Sequence, residues 1–204
     1  MKKFLGKSVL FVVAFALLFA TFAPGASAHG YISKPESRAY LAKLGINQNA
    51  GAIQWEPQSV EATGNFPLGG PSDGTIAGGG GGKFPEMDAQ TPDRWHHIDL
   101  LGGQNNFTWT LTALHRTKEY KYYITKKGWN PNSLLTRGDL ELLTTIDAHN
   151  EVPTSTTVNH QVPLPTDRNG YYVVLGVWEI ADTGNAFYQA VDVNLINNGT
   201  MTLK

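Results

Sequence analysis

The chain has 204 residues, of which 41% are hydrophobic and 16% are charged, and it contains no cysteine. This length and composition suit one compact domain with a substantial apolar core, and they exclude a disordered chain and a disulfide-stapled one. The formal net charge is −1, and without the first 28 residues thirteen basic side chains remain against seventeen acidic ones, so no basic surface for nucleic acid is expected.

The N-terminal segment has the three parts of a secretory signal. Three lysines among the first seven residues precede an apolar run over 9–23, and small residues at 26–28 form a cleavage site. A membrane anchor is the alternative, but the run is short for a span of ~20 residues and a Pro-Gly pair ends it. The pattern predicts a signal peptide over 1–28 and a single secreted, extracellular domain over 29–204 that begins at His29 and does not remain in the membrane.

A long insertion is predicted over 37–99. It is rich in glycine and shows little periodicity apart from a possible short helix near 37–44. Loops of this length in compact domains commonly carry function. Five glycines at 78–82 precede Lys83-Phe84, whereas a phosphate-binding loop needs Ser or Thr after the lysine. The glycine run is therefore predicted to be a flexible loop.

After the insertion, the spacing of apolar residues is typical of β-strands. From Phe107 to His115, alternate residues are apolar and the residues between them are mostly threonine, which predicts a strand whose inner row ends in a histidine. Further strands are predicted over 120–125, 171–180 and 186–195, and the second is apolar enough to be covered on both faces. We therefore expect an all-β, immunoglobulin- or fibronectin-III-like sandwich, with the long loop and short helix inserted between the first strands.

Two of the six histidines are candidate metal ligands. At a mature N-terminus, His29 offers its α-amine and its imidazole to one metal as a chelate. His115 could add a third nitrogen from a rigid strand. Three nitrogens in a T-shaped set suit Cu(II) better than zinc, which prefers a tetrahedron. Each residue alone also has a plainer explanation, since His29 could follow the cleavage site by coincidence and His115 could be a hydrogen-bonded core residue.

Other metal or hydrolase sites find little support in the sequence. His96-His97 are adjacent and would point to opposite faces of a strand, while His149 and His160 have no acidic or histidine partner at ligand spacing. The motifs of zinc proteases and serine hydrolases are missing, and there is no cysteine nucleophile. Glu56 and Glu61 are the one acidic pair in the insertion that a hydrolase could use.

Several longer motifs are similar to those of one known family. They are His29-Gly-Tyr, Trp55-Glu-Pro-Gln-Ser-Val-Glu61, Leu111-Thr-Ala-Leu-His115, Tyr122-Tyr-Ile-Thr-Lys126 with Gly128-Trp-Asn130, Pro165-Thr-Asp-Arg168, and Val177-Trp-Glu-Ile-Ala-Asp-Thr-Gly-Asn-Ala-Phe-Tyr-Gln-Ala-Val-Asp192. In this order they resemble the bacterial chitin-active lytic polysaccharide monooxygenases, which form auxiliary activity family 10 and were formerly family 33 of the carbohydrate-binding modules. The resemblance extends from His29 to Asn194.

The resemblance implies a copper centre and assigns roles to single residues. His29, through its amine and ring, and His115 would form the histidine brace that holds one copper ion. Phe187 would occupy the axial position below the copper, and Ala113 would crowd the opposite side. Glu61 would hold and orient the oxygen species next to the metal; the alternative for this residue is a solvated surface acid.

The resemblance also implies a flat face that binds the substrate. Trp55 would be the exposed aromatic residue of this face, with a core tryptophan as the alternative. Trp178 would lie in the core behind the metal, as a packing residue first and an electron-transfer residue second. The side chains that would line the face and hydrogen-bond the sugar units are Glu56, Thr112, Asp182, Thr183 and Asn185.

The implied activity is oxidative cleavage of β-1,4 glycosidic bonds in crystalline chitin, with oxidation at C1. Hydrogen peroxide, or dioxygen with an external electron donor, would be the co-substrate, and the protein would act as a monomer. A noncatalytic chitin-binding or adhesion protein is the alternative, although it would not need His29, His115 and Glu61 together. A zinc hydrolase would require a third protein ligand and a general base in a cleft, which the sequence does not offer.

Overall fold

The computed structural model describes residues 29–197. Within this range the chain forms nine strands and one short α-helix, numbered here in chain order. The strands are β1 (His29–Lys34), β2 (Glu61–Thr63), β3 (Ile98–Leu100), β4 (Gly103–Ala113), β5 (Thr117–Thr125), β6 (Leu140–Glu151), β7 (Thr157–Leu164), β8 (Gly170–Ile180) and β9 (Asn185–Leu195), and the helix is α1 (Arg38–Lys43). The predicted signal peptide over 1–28 lies outside the described residues. Between residues 29 and 197, no helix is long and apolar enough to cross a bilayer.

The strands form two sheets that pack as a sandwich. One sheet has the order β1-β4-β7, and the other has the order β2-β9-β8-β5-β6 with β3 beside β9. The described pairs are antiparallel except β3 with β9. The all-β sandwich is confirmed, and the strands predicted over 120–125, 171–180 and 186–195 lie within β5, β8 and β9.

Strand β8 is buried on both faces, as its apolar run predicts. Val174 and Trp178 belong to the core between the two sheets. Val173, Leu175 and Val177 belong to a second core on the other side of the larger sheet, which the insertion covers. Burying one such aliphatic side chain stabilises the fold by about 1.5–3 kcal/mol. The insertion is therefore part of the hydrophobic structure as well as part of the surface.

The insertion begins with the short helix that the sequence predicts. Ser37 is the N-cap of α1, and its hydroxyl oxygen accepts a hydrogen bond from Tyr40 N at 3.2 Å. The Ser37 hydroxyl also donates to Gln189 Oε1 of β9 at 2.8 Å. The cap therefore both starts the helix and ties the insertion to the larger sheet.

The glycine run of the insertion is partly held in place. Gly78 N donates to Asp88 Oδ1 at 2.7 Å, and Gly80 N donates to the Thr75 carbonyl at 3.0 Å. Gly78 and Gly79 are buried, whereas Gly80–Lys83 are exposed. Hydrogen bonds from two backbone amides therefore tie Gly78 and Gly80 to neighbouring parts of the insertion, and the flexibility of the run stays a prediction.

A buried ion pair fastens α1 to β9. Arg38 and Asp192 are almost completely buried, with Arg38 Nη2 2.7 Å from Asp192 Oδ1 and Arg38 Nε 3.0 Å from Asp192 Oδ2. Arg38 also donates to the Met87 carbonyl and to Gln90 Oε1. Burial disfavours the charged guanidinium, but the adjacent Asp192 carboxylate outweighs this effect and raises the pKa of Arg38.

Candidate metal centre

His29 opens β1, and β4 fixes its backbone. The Cα of His29 is the register partner of the Cα of Ala113, and Thr112 Oγ1 donates to the His29 carbonyl at 3.4 Å. The His29 ring lies beside Phe187 of β9, with 6.0 Å between the ring centroids and an angle of 47° between the ring planes. Sheet pairing thus places the first described residue at the end of the sandwich, next to an aromatic ring.

Gly30 allows β1 to approach the core closely beside this histidine. A Cβ atom at position 30 would lie 2.9 Å from Leu111 Cδ2 and 2.9 Å from Trp178 Cζ3, closer than packed side chains tolerate. Glycine in a strand commonly marks such a close approach. Glycine therefore follows His29 for a steric reason, in addition to the chemical reason for the histidine itself.

His115 lies in the turn between β4 and β5, and the prediction that it ends a strand row is wrong. β4 ends at Ala113 and β5 begins at Thr117. His115 is nevertheless buried, with 8% of its surface exposed, and its carbonyl accepts a hydrogen bond from Thr117 Oγ1 at 3.2 Å. Its Nδ1 atom lies 3.1 Å from Asp182 Oδ1. This contact orients the ring and leaves Nε2 as the nitrogen that can face a metal.

Asp182 reaches His115 from the turn that joins β8 to β9. The two turns are tied together, because Ala181 N donates to the Arg116 carbonyl at 2.8 Å. Histidines that bind metals usually donate their second ring N–H to a carboxylate or a carbonyl, which sets the tautomer. The sequence predicts only a substrate contact for Asp182. The structure also gives this partly exposed carboxylate a role in orienting His115.

The assembled side chains fit a metal site that includes a main-chain nitrogen. Across residues 29–197, no group of three or more His, Cys, Asp or Glu side chains is arranged to hold a metal ion. His29 and His115 both lie next to Ala113, the first as its register partner and the second two residues along the chain. The α-amine of a chain that starts at His29 would complete a set of three nitrogens. Such a set suits Cu(II), so the donors present fit copper.

Phe187 and Glu61 come to the same corner from the larger sheet. They are register partners in β9 and β2, so the carboxylate lies on the strand next to the ring that contacts His29. Asn185 Nδ2 donates to Glu61 Oε1 at 2.8 Å. Glu61 is half-buried and hydrogen-bonded, which does not fit a solvated surface acid. Phe187 has no donor atom, so its ring would border a metal held by His29 without binding it.

A pocket of about 350 Å³ adjoins Glu61. Its lining residues are Glu61, Ala62, Thr63, Gly70, Pro71, Ser72, Gly79, Gly80 and Gly81. One wall is thus the start of β2, and the other is the glycine-rich part of the insertion. A volume of this size holds several water molecules, each of which occupies about 30 Å³ in the liquid. A small oxygen compound therefore has room beside the Glu61 carboxylate.

Trp55 and Glu56 extend the site across the surface. The Trp55 side chain is 80% exposed, which rules out the alternative of a core tryptophan. Glu56 Oε2 accepts a hydrogen bond from Lys83 Nζ at 2.6 Å, and this bond is the main reason why the pKa of Glu56 is lowered. Lys83 was not among the predicted site residues. Its pairing with Glu56 spans the insertion, and no local pattern in the sequence indicates it.

Hydrogen bonds join the predicted site residues of this surface patch in three groups. The hydrogen-bonded pairs are Thr112 with His29, Asp182 with His115, Thr183 with Asn185, and Asn185 with Glu61. Trp178 lies beneath this patch, fully buried, with its ring centroid 5.2 Å from that of Phe187. Its Nε1 donates to Thr117 Oγ1 at 2.8 Å. The expected packing role of Trp178 is thereby confirmed.

A family model and several known proteins are similar to this chain in sequence. Residues 29–193 match the family model described as "Lytic polysaccharide mono-oxygenase, cellulose-degrading". GlcNAc-binding protein A of Shewanella oneidensis is 48% identical over 171 residues, which is 83% of this chain and 36% of that protein. The lytic chitin monooxygenase of Enterococcus faecalis is 44% identical over 196 residues, which is 93% of this chain and 98% of that protein. The chain thus spans about a third of the first relative and nearly all of the second.

Solved structures are similar to this chain in both sequence and fold. The catalytic domain of a lytic polysaccharide monooxygenase from Listeria monocytogenes is 55% identical, with a TM-score of 0.80, and the match covers 83% of this chain and 100% of that domain. The CBM33 protein of Bacillus amyloliquefaciens, solved in complex with Cu(I), is 44% identical with a TM-score of 0.78, and the match covers 82% of this chain and 100% of that one.

Proposed function

Because this chain belongs to the lytic polysaccharide monooxygenase family, we propose that it is a secreted, copper-dependent enzyme that oxidises C1 of β-1,4 links in crystalline chitin. The observation that supports this most directly is that His29 and Glu61 both lie beside Phe187, while His115 follows two residues after Ala113, the register partner of His29. Copper bound there would supply the redox chemistry that oxidises the glycosidic carbon, with hydrogen peroxide, or dioxygen and an external electron donor, as co-substrate.

The metal site requires that the mature chain start at His29. An amide nitrogen in an uninterrupted chain is a poor donor, whereas a free α-amine with a pKa of about 8 loses its proton readily to a metal. The small residues at 26–28 supply a cleavage site at the right place. Signal removal would then both release the protein and create one of its three nitrogen donors.

The remaining residues position the two reactants. Trp55, exposed on the face, would stack on a sugar ring of the crystal surface, and Glu56, Thr112 and Thr183 would hydrogen-bond neighbouring sugar units. Glu61, oriented by Asn185, would hold the oxygen co-substrate through a hydrogen bond and move a proton to or from it. A solid substrate offers no single chain that could enter a cleft. A reactive centre that is exposed on a surface patch therefore suits a solid substrate.

Chitin is supported as the substrate by the relatives' names. The Shewanella protein is named for binding GlcNAc and the Enterococcus protein for acting on chitin, while the description of the family model names cellulose. Both solids should therefore be tested. The decisive measurement is mass spectrometry of soluble products from β-chitin and from cellulose, after incubation with the signal-cleaved, copper-loaded protein, with and without ascorbate.

The expected result is a series of chitooligosaccharides with aldonic-acid ends that form only with the reductant. If the protein binds chitin and copper but releases no oxidised sugar, even with peroxide supplied, the chain is a binding protein and the proposal is wrong. Oxidised products from cellulose alone would overturn the choice of substrate and leave the reaction class intact.

Replacing Glu61 by Gln should slow oxidised-product release by roughly 100-fold while copper affinity stays within a factor of two or so. Glutamine keeps an oxygen that can accept the hydrogen bond from Asn185, so the local structure should persist, but it cannot take up or release the proton. Product yield and copper titration would be measured side by side. Glu86→Gln, on the exposed surface of the insertion, is the matched control. Unchanged turnover in the Glu61 variant would remove this residue from the mechanism.

Replacing Asp182 by Ala should weaken copper binding by roughly 10- to 100-fold, because the His115 ring loses the acceptor that sets its tautomer and orientation. Asp182→Asn retains an acceptor oxygen and should lose much less affinity. Competition with a chelator of known affinity would measure both. Equal losses in the alanine and asparagine variants would show that Asp182 acts through its charge and not by orienting the ring.

A further inference from the structure

Lys83 brings a cation to the predicted binding face. Its Nζ atom lies 2.6 Å from Oε2 of Glu56, the residue that follows the exposed Trp55 in the chain. This hydrogen bond is the main cause of the lowered pKa of Glu56, and the charge of His29 also contributes to it. Glu56, and with it Lys83, therefore lies within electrostatic range of the metal centre.

The backbone holds Lys83 in place from its C-terminal side. Phe84, the next residue, is buried in the second core, and its carbonyl accepts a hydrogen bond from Met87 N at 3.1 Å. On the other side, a Cβ atom at Gly81 or Gly82 would have no atom within 4 Å. The Lys83 side chain thus starts from an anchored position, and the glycines before it do not cover it.

The ion pair is open to solvent. The Lys83 side chain is 57% exposed and the Glu56 side chain is 32% exposed. An ammonium group has three N–H donors, and the bond to Glu56 Oε2 uses one of them. A sugar unit that reaches this part of the face therefore meets the ammonium group and the carboxylate together.

Glu56 differs from the other acids of the face in the charge of its partner. Asp182 contacts the His115 ring, and Glu61 accepts a hydrogen bond from the Asn185 amide. An amide has no charge and a metal-binding imidazole is neutral, whereas lysine keeps its charge throughout the physiological range. The carboxylate of Glu56 is thus neutralised by a permanent cation.

The charge of this pair matters because the units of the polymer can differ in charge. An N-acetylated unit presents a neutral acetamido group, while a unit that has lost its acetyl group carries an amine that is protonated in weakly acidic solution. A Glu56 carboxylate without Lys83 would attract that amine. Lys83 offsets the attraction and repels the amine at short range. The acetamido carbonyl is not repelled and can accept a hydrogen bond from the ammonium group.

We propose that Lys83 is a specificity-determining residue that selects N-acetylated sugar units over deacetylated ones on the binding face. It does so by charge, both through its own ammonium group and by neutralising Glu56. This role rests on the proposed function, since it is a selection between units of the proposed chitin substrate.

The test compares the affinity of the copper-loaded protein for β-chitin and for the same solid after partial deacetylation of its surface. Binding is measured by depletion of protein from weakly acidic buffer of low salt, without a reductant, so that no oxidation occurs. In Lys83→Gln, the affinity for the deacetylated solid relative to chitin should rise roughly 2- to 5-fold, as expected for one exposed charge. The rise should disappear at about 1 M salt, where exposed charges are screened.

Three further variants identify the cause of the rise. Lys127→Gln removes a lysine that is 65% exposed and paired with Asp167, just beyond the end of β5 that lies away from His115, so the affinity ratio should not change. Lys83→Arg keeps the charge and should keep the ratio of the unmodified protein. Glu56→Gln combined with Lys83→Gln replaces the charged pair by two neutral amides and should bring the ratio back close to that value.

An unchanged ratio in Lys83→Gln, an equal rise in Lys127→Gln, or a rise that persists at high salt would each overturn the proposal. These outcomes do not depend on catalysis, because the proposed function is tested separately, by the oxidised products that form with ascorbate. If the unmodified protein bound neither solid, both the proposed chitin substrate and the proposed role of Lys83 would be wrong.

Discussion

Replacing His115 by alanine is expected to abolish tight copper binding while the fold is retained. The residue lies in a turn, so its loss should disturb no strand pairing, but it supplies one of only two imidazoles at the site. Loss of a direct ligand should cost more than the roughly 100-fold that follows loss of an outer hydrogen-bond partner. Chelator competition would measure the affinity, and circular dichroism would check the fold. His149→Ala, at an exposed position, is the control.

The α-amine can be tested in the same assay. A chain that keeps one residue ahead of His29 still has both imidazoles, and its fold should be unchanged. It has an amide in place of the free amine, so copper binding should fail to a similar extent. Sub-micromolar affinity retained in either protein would refute the arrangement proposed here, because it would mean that the metal is held by other groups.

The largest loss of stability is expected from Asp192→Asn. This substitution leaves the buried Arg38 guanidinium without its counter-charge, and such losses cost about 3–5 kcal/mol. That is a large part of the roughly 5–15 kcal/mol by which a domain is stable. Tyr171 Oη also donates to Asp192 Oδ1 at 2.7 Å, so the change disturbs this hydrogen bond as well. Urea unfolding would measure the difference.

Asp73→Asn is the matched control for this substitution. Asp73 forms a comparable contact with Arg137, with Nη1 2.8 Å from Oδ1, but the pair lies at the surface. Exposed ion pairs contribute about 1 kcal/mol or less. If the two asparagine variants lost equal stability, the buried pair would have to be assigned a minor role, with the Met87 carbonyl and Gln90 sufficient to hold Arg38.

Much of the fold could be predicted because the apolar and polar residues of its central strands reflect which faces of those strands are buried. β8 reads as a continuous apolar run since both of its faces are covered. β2 and β3 cannot be predicted from the sequence, because each has three residues and forms by pairing with β9. β6 is hard to predict because it lies at the edge of the larger sheet and most of its side chains are half-buried or exposed. Its mostly polar sequence therefore does not show the apolar alternation that indicates a strand.

The candidate site could be predicted as a set of single residues, but the contacts that orient those residues could not. His29 is indicated by the cleavage site, and His115 by the alternation of the strand before it, although it lies just beyond that strand. The orienting contacts come from distant segments: Asp182 lies 67 residues from His115, and Lys83 lies 27 residues from Glu56. Such pairs depend on how the turns meet in space, which no local pattern encodes.

The pairing of β1 with β4 has a consequence for how the protein matures. Strand pairing along β1 and the close packing of Gly30 should fix the position of His29 whether or not residues remain ahead of it. Under the function proposed above, a wrongly cut chain should therefore fold, be exported and still adhere to chitin through Trp55 and its neighbours. It would compete for the polymer as an inactive species. The accuracy of signal cleavage, more than the efficiency of folding, would then set the specific activity of a secreted preparation.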